Sequence, residues 1–160
     1  MANEREQNHP TIYLFTDGAS SGNPGPGGYG VVLKCAGIEK EISGGFSLTT
    51  NNRMELLAVI VGLEALKSPG CNVTVYTDSK YVADAVTLGW VFGWEKKRFA
   101  GKKNPDLWIR FLKIYRQHQV KFVWVKGHAS IPENERCDQL AVAASKQPQL
   151  MPDEGYENEN

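Results

Sequence analysis

Two aspartates follow apolar, strand-like runs and could hold a metal ion together. Asp17 follows residues 11–16 and Asp78 follows residues 73–77, and each aspartate comes after an aromatic residue and a threonine. If the two strands lie parallel and side by side, their ends are about 4.8 Å apart. Two carboxylates at that distance repel each other, and a bound divalent cation relieves the repulsion. The repeated pattern therefore predicts a cation site at one edge of a sheet.

A purely structural role for each aspartate is the alternative. Asp78 could cap the helix that follows it. Asp17 could begin a turn, since residues 21–28 are rich in glycine and proline and predict a loop. The occurrence of both aspartates in the same local context favours the metal site.

Two further carboxylates stand in predicted helices. Glu55 falls in the first turn of its helix between apolar residues, and Asp138 precedes the apolar run 140–144. Each also has an ordinary explanation, because Glu55 can interact with the helix N-terminus and Asp138 can lie on a solvated helix face. Spacing alone favours the solvated face for Asp138.

The elements that would position these residues alternate along the chain after an initial meander. Apolar periodicity, capping residues and glycine or proline breaks set their limits. Strands are predicted at residues 11–16, 29–34, 40–47, 72–77 and 120–125, and helices at 53–67, 79–88, from Pro105 onward and up to 146. This order predicts an α/β fold with a mixed five-stranded sheet, an antiparallel meander plus two parallel strands, flanked by helices.

Local signals also predict the helix caps. Asn51 or Asn52 is the expected cap of the first helix and Asn104 that of the helix beginning at Pro105. Residues 130–133 resemble a capping box for the last helix. The segment 89–103 is predicted to be a basic, aromatic loop or a short helix.

Length and composition indicate one soluble domain. The chain has 160 residues, of which 41% are hydrophobic and 22% charged. We expect a disordered tail at 1–10, a domain at 11–147 and a loose acidic tail at 148–160. There is no apolar run of transmembrane length and no signal-peptide segment at the start. Three cysteines without metal-site spacing predict reduced thiols, and together these features favour a cytoplasmic monomer.

The formal net charge is zero, but the charges are unevenly distributed. Residues 96–103 hold five basic residues and no acid, whereas residues 153–160 hold four acids and no base. Opposite blocks cancel in the sum and still leave a strong local field. A nucleic-acid partner is therefore compatible with the neutral total.

Six short motifs occur in order, at compatible separations. They are Thr16-Asp17-Gly18, Gly22-Asn23-Pro24-Gly25, Thr50-Asn51-Asn52-Arg53-Met54-Glu55, Thr77-Asp78-Ser79, Trp124-Val125-Lys126-Gly127-His128 and Asn134-Glu135-Arg136-Cys137-Asp138. Together they resemble bacterial type 1 ribonuclease H over roughly residues 11–145. The resemblance implies the ribonuclease H fold. It also implies an endonuclease that hydrolyses the RNA strand of RNA–DNA hybrids and leaves 5′-phosphate and 3′-hydroxyl ends.

The resemblance also implies a metal site. Its acidic ligands correspond to Asp17, Glu55, Asp78 and Asp138, which would hold two Mg²⁺ ions, with Mn²⁺ as the alternative. Hard cations prefer oxygen ligands, and two ions about 4 Å apart can activate a water and neutralise the leaving oxygen. No nucleophilic side chain is then needed. His128, otherwise an ordinary solvated loop residue, would take part in proton transfer or product release.

A basic, aromatic segment is implied to bind the DNA strand. Trp94 with Lys96, Lys97 and Arg98 resembles the basic protrusion of the family, in a version a few residues shorter than in close relatives. The same lysines could instead form a solvated face. Because Phe99 stands where a second tryptophan is expected, we expect a reduced affinity and a retained activity.

Three asparagines correspond to positions that face the minor groove or backbone of the hybrid. They are Asn23, Asn52 and Asn104, of which Asn104 is also explained as a helix cap. Two other aromatic residues, Trp90 and Phe92, are predicted to be core residues. A shallow minor groove lined with 2′-hydroxyls is how proteins recognise RNA helices, so these contacts would direct cleavage to RNA.

Two other functions compete with hybrid cleavage. A non-catalytic module that binds hybrids or double-stranded RNA would gain from losing negative charge at a phosphate site, so four retained acids disfavour it. A junction resolvase or integrase-type nuclease would share the fold. The matches at Asn23, Asn52 and the basic segment favour the hybrid-cleaving enzyme.

Overall fold

A mixed five-stranded sheet forms the centre of the computed structural model, which describes residues 10–127 and 131–159. The strands are β1 (Ile12–Ser20), β2 (Gly25–Cys35), β3 (Ile38–Thr49), β4 (Asn72–Thr77) and β5 (Gln119–Trp124). The helices are α1 (Asn51–Glu64), α2 (Lys80–Thr87), α3 (Trp90–Lys96), α4 (Pro105–Tyr115), α5 (Pro132–Ser145) and α6 (Glu154–Glu159). The strand order is β3-β2-β1-β4-β5, with an antiparallel meander of β1 to β3 and parallel pairing of β4 with β1 and β5. The predicted fold is confirmed.

The sheet separates two apolar cores because successive strand side chains point to opposite faces. On one face Leu14 and Val75 pack with residues of α1 to α4 in the larger core. On the other face Phe15 and Val32 pack against Cys137 of α5. The sheet is therefore covered by helices on both faces, and α1 is buried along most of its length. Among the described residues, no helix is long and apolar enough to cross a membrane.

The first strand continues beyond its predicted end. Asp17 pairs with Gly30, and β1 runs on to Ser20. The loop predicted at 21–28 is therefore wrong beyond residue 24, and Asp17 lies within a strand rather than at its end. The glycines of β2 can pair on both sides, with β1 and β3, and their missing Cβ atoms make room for close packing of neighbouring elements.

The first helix is capped by a different residue from those predicted. Thr50 is the N-cap of α1, and its hydroxyl accepts a hydrogen bond of 3.2 Å from the backbone N–H of Arg53. The predicted caps Asn51 and Asn52 are the first two residues of the helix instead. A threonine in extended conformation satisfies an otherwise free N–H at the helix start, which explains the earlier boundary.

The N-cap position predicted for Asn104 is confirmed, whereas the last helix begins differently from the prediction. Asn104 holds the N-cap position of α4 in a left-handed conformation, but its side chain makes no capping bond. Ile131 holds the N-cap position of α5, also without a side-chain bond, and Pro132 begins the helix. The predicted capping box includes Ser130, which lies outside the described residues.

The basic, aromatic segment contains the short helix α3 followed by turns. The prediction that Trp90 is a core residue is wrong, since 49% of it is exposed. Phe92 packs against the larger core as predicted, and Phe99 is buried. A helix of one or two turns buries only one narrow face, and here that face belongs to Val91.

The prediction of a loose tail after residue 147 is wrong for the described part. Met151 forms a bridge with Phe46, and its carbonyl accepts a 2.9 Å hydrogen bond from the N–H of Ser47. Asp153 is buried against Thr49, whose hydroxyl donates to it at 2.6 Å. The C-terminal segment (residues 150–159) is therefore part of the folded domain.

Candidate active site

Three carboxylates converge at the centre of the sheet. Oxygen atoms of Asp17, Glu55 and Asp78 lie within 4.8 Å of one another. Asp17 comes from β1, Asp78 directly follows β4, and Glu55 lies in the first turns of α1. Asp17 and Glu55 are buried, whereas Asp78 is partly exposed. The parallel pairing of β1 and β4 brings the two aspartates together, as their repeated context predicts.

Gly18 holds the first two carboxylates in place. Its backbone N–H donates to Asp17 Oδ1 and to Glu55 Oε1, both at 2.9 Å. A Cβ at this position would collide with the backbone of α1 at Met54 and Glu55. The glycine therefore lets α1 approach β1 closely enough for Glu55 to join the aspartates.

The site favours binding of a cation. Burial, a hydrogen bond to Asp17 and the charges of Asp17 and Asp78 together raise the pKa of Glu55 well above its usual value. Glu55 Oε2 is buried and has no hydrogen-bond partner among the described residues. An ion coordinated by these oxygens would satisfy that atom and relieve the repulsion. The donor set is all oxygen, which suits Mg²⁺ or Mn²⁺.

The raised pKa of Glu55 makes the metal-free protein sensitive to pH. A carboxyl whose folded-state pKa is raised stabilises the fold at low pH, and this stabilisation is lost as the pH rises through that pKa. We expect Asp17→Asn to increase the free energy of unfolding in chelator at about pH 8 by roughly 1–3 kcal/mol, because it removes one of the repelling charges.

Denaturant unfolding of the native and Asp17→Asn proteins at about pH 5 and about pH 8 measures this effect. The advantage of the variant should shrink at the lower pH, which favours the neutral form of Glu55, and on addition of divalent metal, which neutralises the native site. A variant no more stable than the native protein at the higher pH would contradict the proposed repulsion.

Of the other two residues predicted to act beside these acids, Asp138 and His128, the structure describes only Asp138. Asp138 lies on α5 and lines the same cavity of about 380 Å³ as the three converging carboxylates, but it is not within their 4.8 Å cluster. It can complete a metal site if an ion or a water bridges the gap. His128 lies outside the described residues.

Two residues beside the acids were not predicted to be functional. The indole N–H of Trp124 donates to the backbone carbonyl of Asp78 at 3.0 Å. The ammonium of Lys80 lies 4.8 Å from the centroid of the Trp124 ring, and Lys80 lines the acid cavity. Trp124 thus helps fix the backbone of Asp78, and its ring holds the Lys80 ammonium at the rim of the cavity that the acids line. The only signals in the sequence are that Trp124 begins the motif that ends at His128 and that Lys80 directly follows the motif around Asp78.

A larger cavity of about 590 Å³ adjoins the acids, since Asn52 and Tyr81 line both. Its other lining residues are aromatic, basic, amide and small residues together with part of the C-terminal segment, namely Asn23, Pro24, Thr50, Trp90, Trp94, Gly101, Lys102, Lys103, Asn104, Tyr156 and Glu159. The ammonium of Lys102 lies 5.2 Å from the centroid of the Trp94 ring. The combination of cations and aromatic faces suits a nucleic-acid strand.

The predicted basic residues and the cavity coincide only in part. Lys96, Lys97 and Arg98 are exposed at the end of α3 and in the turn after it, and they do not line the cavity. Lys102 and Lys103, from the same basic run, do line it. The turn after α3, in which Arg98 and Phe99 have positive φ angles, redirects the chain and separates the two groups of basic residues.

The three predicted asparagines all line this cavity, but their surroundings differ. Asn52 is exposed, and Asn23 Oδ1 accepts a 3.1 Å hydrogen bond from the backbone N–H of Asn51. Asn104 is buried; it accepts from Arg53 at 3.3 Å and donates to the Tyr81 hydroxyl at 3.1 Å. Asn104 therefore supports the cavity wall, whereas Asn52 has an exposed side chain available to a ligand.

Comparison with known proteins identifies the family. The family model for RNase H matches residues 9–146, which is most of the chain. The chain belongs to the ribonuclease H family. It is 59% identical to a ribonuclease H of Desulforamulus reducens over 94% of this chain and 97% of that one. It is 54% identical to a ribonuclease H of a Shewanella species over 93% of this chain and 96% of that one.

Solved structures agree with this assignment. LC9-RNase H1, described as a type 1 RNase H with the type 2 active-site motif, superposes with a TM-score of 0.78 at 32% identity, covering 94% of this chain and 80% of that one. LC11-RNase H1, solved in complex with an RNA/DNA hybrid, gives a TM-score of 0.62 at 28% identity over 83% of this chain and 95% of that one. The predicted family and enzyme class, a ribonuclease H, are confirmed.

Proposed function

We propose that this ribonuclease H hydrolyses the RNA strand of RNA–DNA hybrids with divalent metal ions held by Asp17, Glu55, Asp78 and Asp138. The observation that carries the proposal is the cluster of three carboxylates within 4.8 Å, in which a buried Glu55 oxygen lacks a partner among the described residues. The hybrid bound in the LC11-RNase H1 structure supports the choice of substrate. We infer two Mg²⁺ ions per site, with Mn²⁺ as a substitute, and a monomeric enzyme.

The metal ions, when bound, would supply an activated water and neutralise charge on the leaving oxygen. The chain contributes the geometry. Gly18 orients Asp17 and Glu55 through its N–H, and Trp124 orients Asp78 through its backbone carbonyl. Lys80 adds a positive charge at the rim, where it can attract a phosphate of the RNA strand.

The larger cavity would take the DNA strand. Its lysines can contact phosphates, and Trp90 and Trp94 offer ring surfaces for sugar or base. Asn52 lines both cavities and can therefore contact the hybrid between the two strands. Hydrogen bonds from such amides to 2′-hydroxyls would distinguish RNA from DNA. His128 remains a candidate for proton transfer or product release.

The ends of the cleaved RNA test the chemistry. Attack by a metal-activated water leaves a 3′-hydroxyl, which a DNA polymerase can extend without prior phosphatase treatment, and a 5′-phosphate on the downstream fragment. We expect both ends in Mg²⁺ and no cleavage in excess chelator. Fragments that end in 2′,3′-cyclic phosphate, or cleavage that resists chelator, would indicate attack by the RNA 2′-hydroxyl and overturn the proposal.

A further inference from the structure

The C-terminal segment is anchored next to the start of α1. Asp153 accepts hydrogen bonds from Arg53 Nε at 2.8 Å and Nη2 at 3.0 Å, besides that from Thr49. Gly155 fits against the same group, where a Cβ would collide with the side chains of Asp106 and Arg53. Because its base is held by buried charges, the segment has a defined position on the surface.

This anchoring places an acidic residue, Glu159, at the larger cavity. Tyr156 and Glu159 line the cavity together with Trp94, Lys102 and Lys103. Burial is the main reason that the pKa of Tyr81, another lining residue, is raised, and the charge of Glu159 adds to the rise. Glu159 therefore places a carboxylate on the wall of this cavity.

A carboxylate on this wall has a definite consequence for a polyanion. Lysines that contact phosphates favour binding through charge neutralisation and release of counterions. An acid beside them partly cancels their field and repels the same phosphates. Glu159 itself is exposed, and none of the described hydrogen bonds that anchor the segment involves its side chain.

We propose that Glu159 limits the affinity of the larger cavity for its substrate. Its carboxylate repels the phosphates of the bound strand and so weakens the binding of the hybrid. The inference rests on the proposed function in that it assigns the cavity to a nucleic-acid strand. It gives the C-terminal segment two parts with separate roles, a buried base that stabilises the fold and an acidic end that limits substrate affinity. Weaker binding favours release of the cleaved hybrid.

The test compares Glu159→Gln with Glu157→Gln. Both variants remove one exposed carboxylate from α6, but Glu157 does not line the cavity. Binding of a labelled RNA–DNA hybrid is measured by fluorescence anisotropy in chelator, where no cleavage occurs, at low and high salt. Thermal melts check that both variants are as stable as the native protein.

We expect Glu159→Gln to tighten the Kd roughly fivefold at low salt and less at high salt, with a lower KM in Mg²⁺. Glu157→Gln should change the Kd by less than about twofold, because its charge is screened outside the cavity. Equal effects of the two substitutions, or no effect of Glu159→Gln, would overturn the inference. A native protein that binds hybrid but does not cleave it would overturn the proposed function alone, since the Kd comparison still decides the role of Glu159.

Discussion

Asp78→Asn is expected to lower kcat for hybrid cleavage by about 10³-fold or more and to leave hybrid binding intact. Asparagine keeps the shape of the side chain but removes the charge that would hold a metal ion among three converging carboxylates. Loss of a metal ligand removes several kcal/mol of transition-state stabilisation, and each 1.4 kcal/mol is about tenfold in rate. The Kd for hybrid should stay the same or tighten, since one negative charge beside a phosphate is gone.

Asp84→Asn is the matched control for this substitution. Asp84 lies on α2, six positions farther along the chain, and lines neither cavity. Single-turnover cleavage rates and anisotropy binding, measured for both variants in Mg²⁺ and Mn²⁺, separate catalysis from binding. An Asp78→Asn enzyme with cleavage near the native rate would show that Asp78 does not hold a required ion.

Arg53→Met is expected to lower the free energy of unfolding by about 3–5 kcal/mol, which corresponds to a fall in Tm of about 10 °C. Arg53 is buried, and its guanidinium donates to Asp106, Asp153 and Asn104. Burial alone would lower the pKa of Arg53, but the hydrogen bonds to Asp106 and Asp153 outweigh the effect of burial and raise that pKa. Removal of the cation leaves Asp153 as a buried charge without its main partner, and that is the costly event.

Arg110→Met provides the comparison for a surface ion pair. Arg110 also forms a two-pronged pair, with Glu64 at 2.6 and 2.8 Å, but 47% of its side chain is exposed. Its loss should cost less than about 1 kcal/mol. Denaturant unfolding measures both variants, and similar losses for the two would contradict the importance of burial. The double variant Arg53→Met, Asp153→Leu should recover part of the lost stability, since no buried charge is then left alone.

The sequence predicted those parts of the site that depend on local pattern. Asp17 and Asp78 each follow a β-branched, aromatic run, and parallel pairing of those runs was enough to bring the aspartates together. The limits of β4 were predicted correctly for the same reason. The closeness of Glu55 depends on the contact between α1 and Gly18, which no local pattern reports. Its assignment came from the resemblance to the family.

The predictions from sequence are wrong where tertiary contacts override the local preference of the chain for a loop, a strand or a buried position. Residues 25–28 are three glycines and a proline and favour a loop by composition, yet pairing with the neighbouring strands and close packing against other elements hold them in β2. Trp90 is apolar and was assigned to the core, but its short helix buries only Val91. The acidic C-terminal segment was expected to be loose, because nothing near Asp153 in the sequence indicates a buried arginine 100 positions away.

Cleavage of a hybrid with both strands labelled shows whether the enzyme cuts RNA in hybrids and needs a metal ion to do so. The enzyme is incubated with the hybrid in Mg²⁺, with and without chelator, beside RNA duplex, DNA duplex and a DNA junction. The proposed function predicts loss of the RNA strand of the hybrid only, and only when metal is present. Cleavage of the DNA strand or the junction, or an intact hybrid that is bound but not cut, would contradict it.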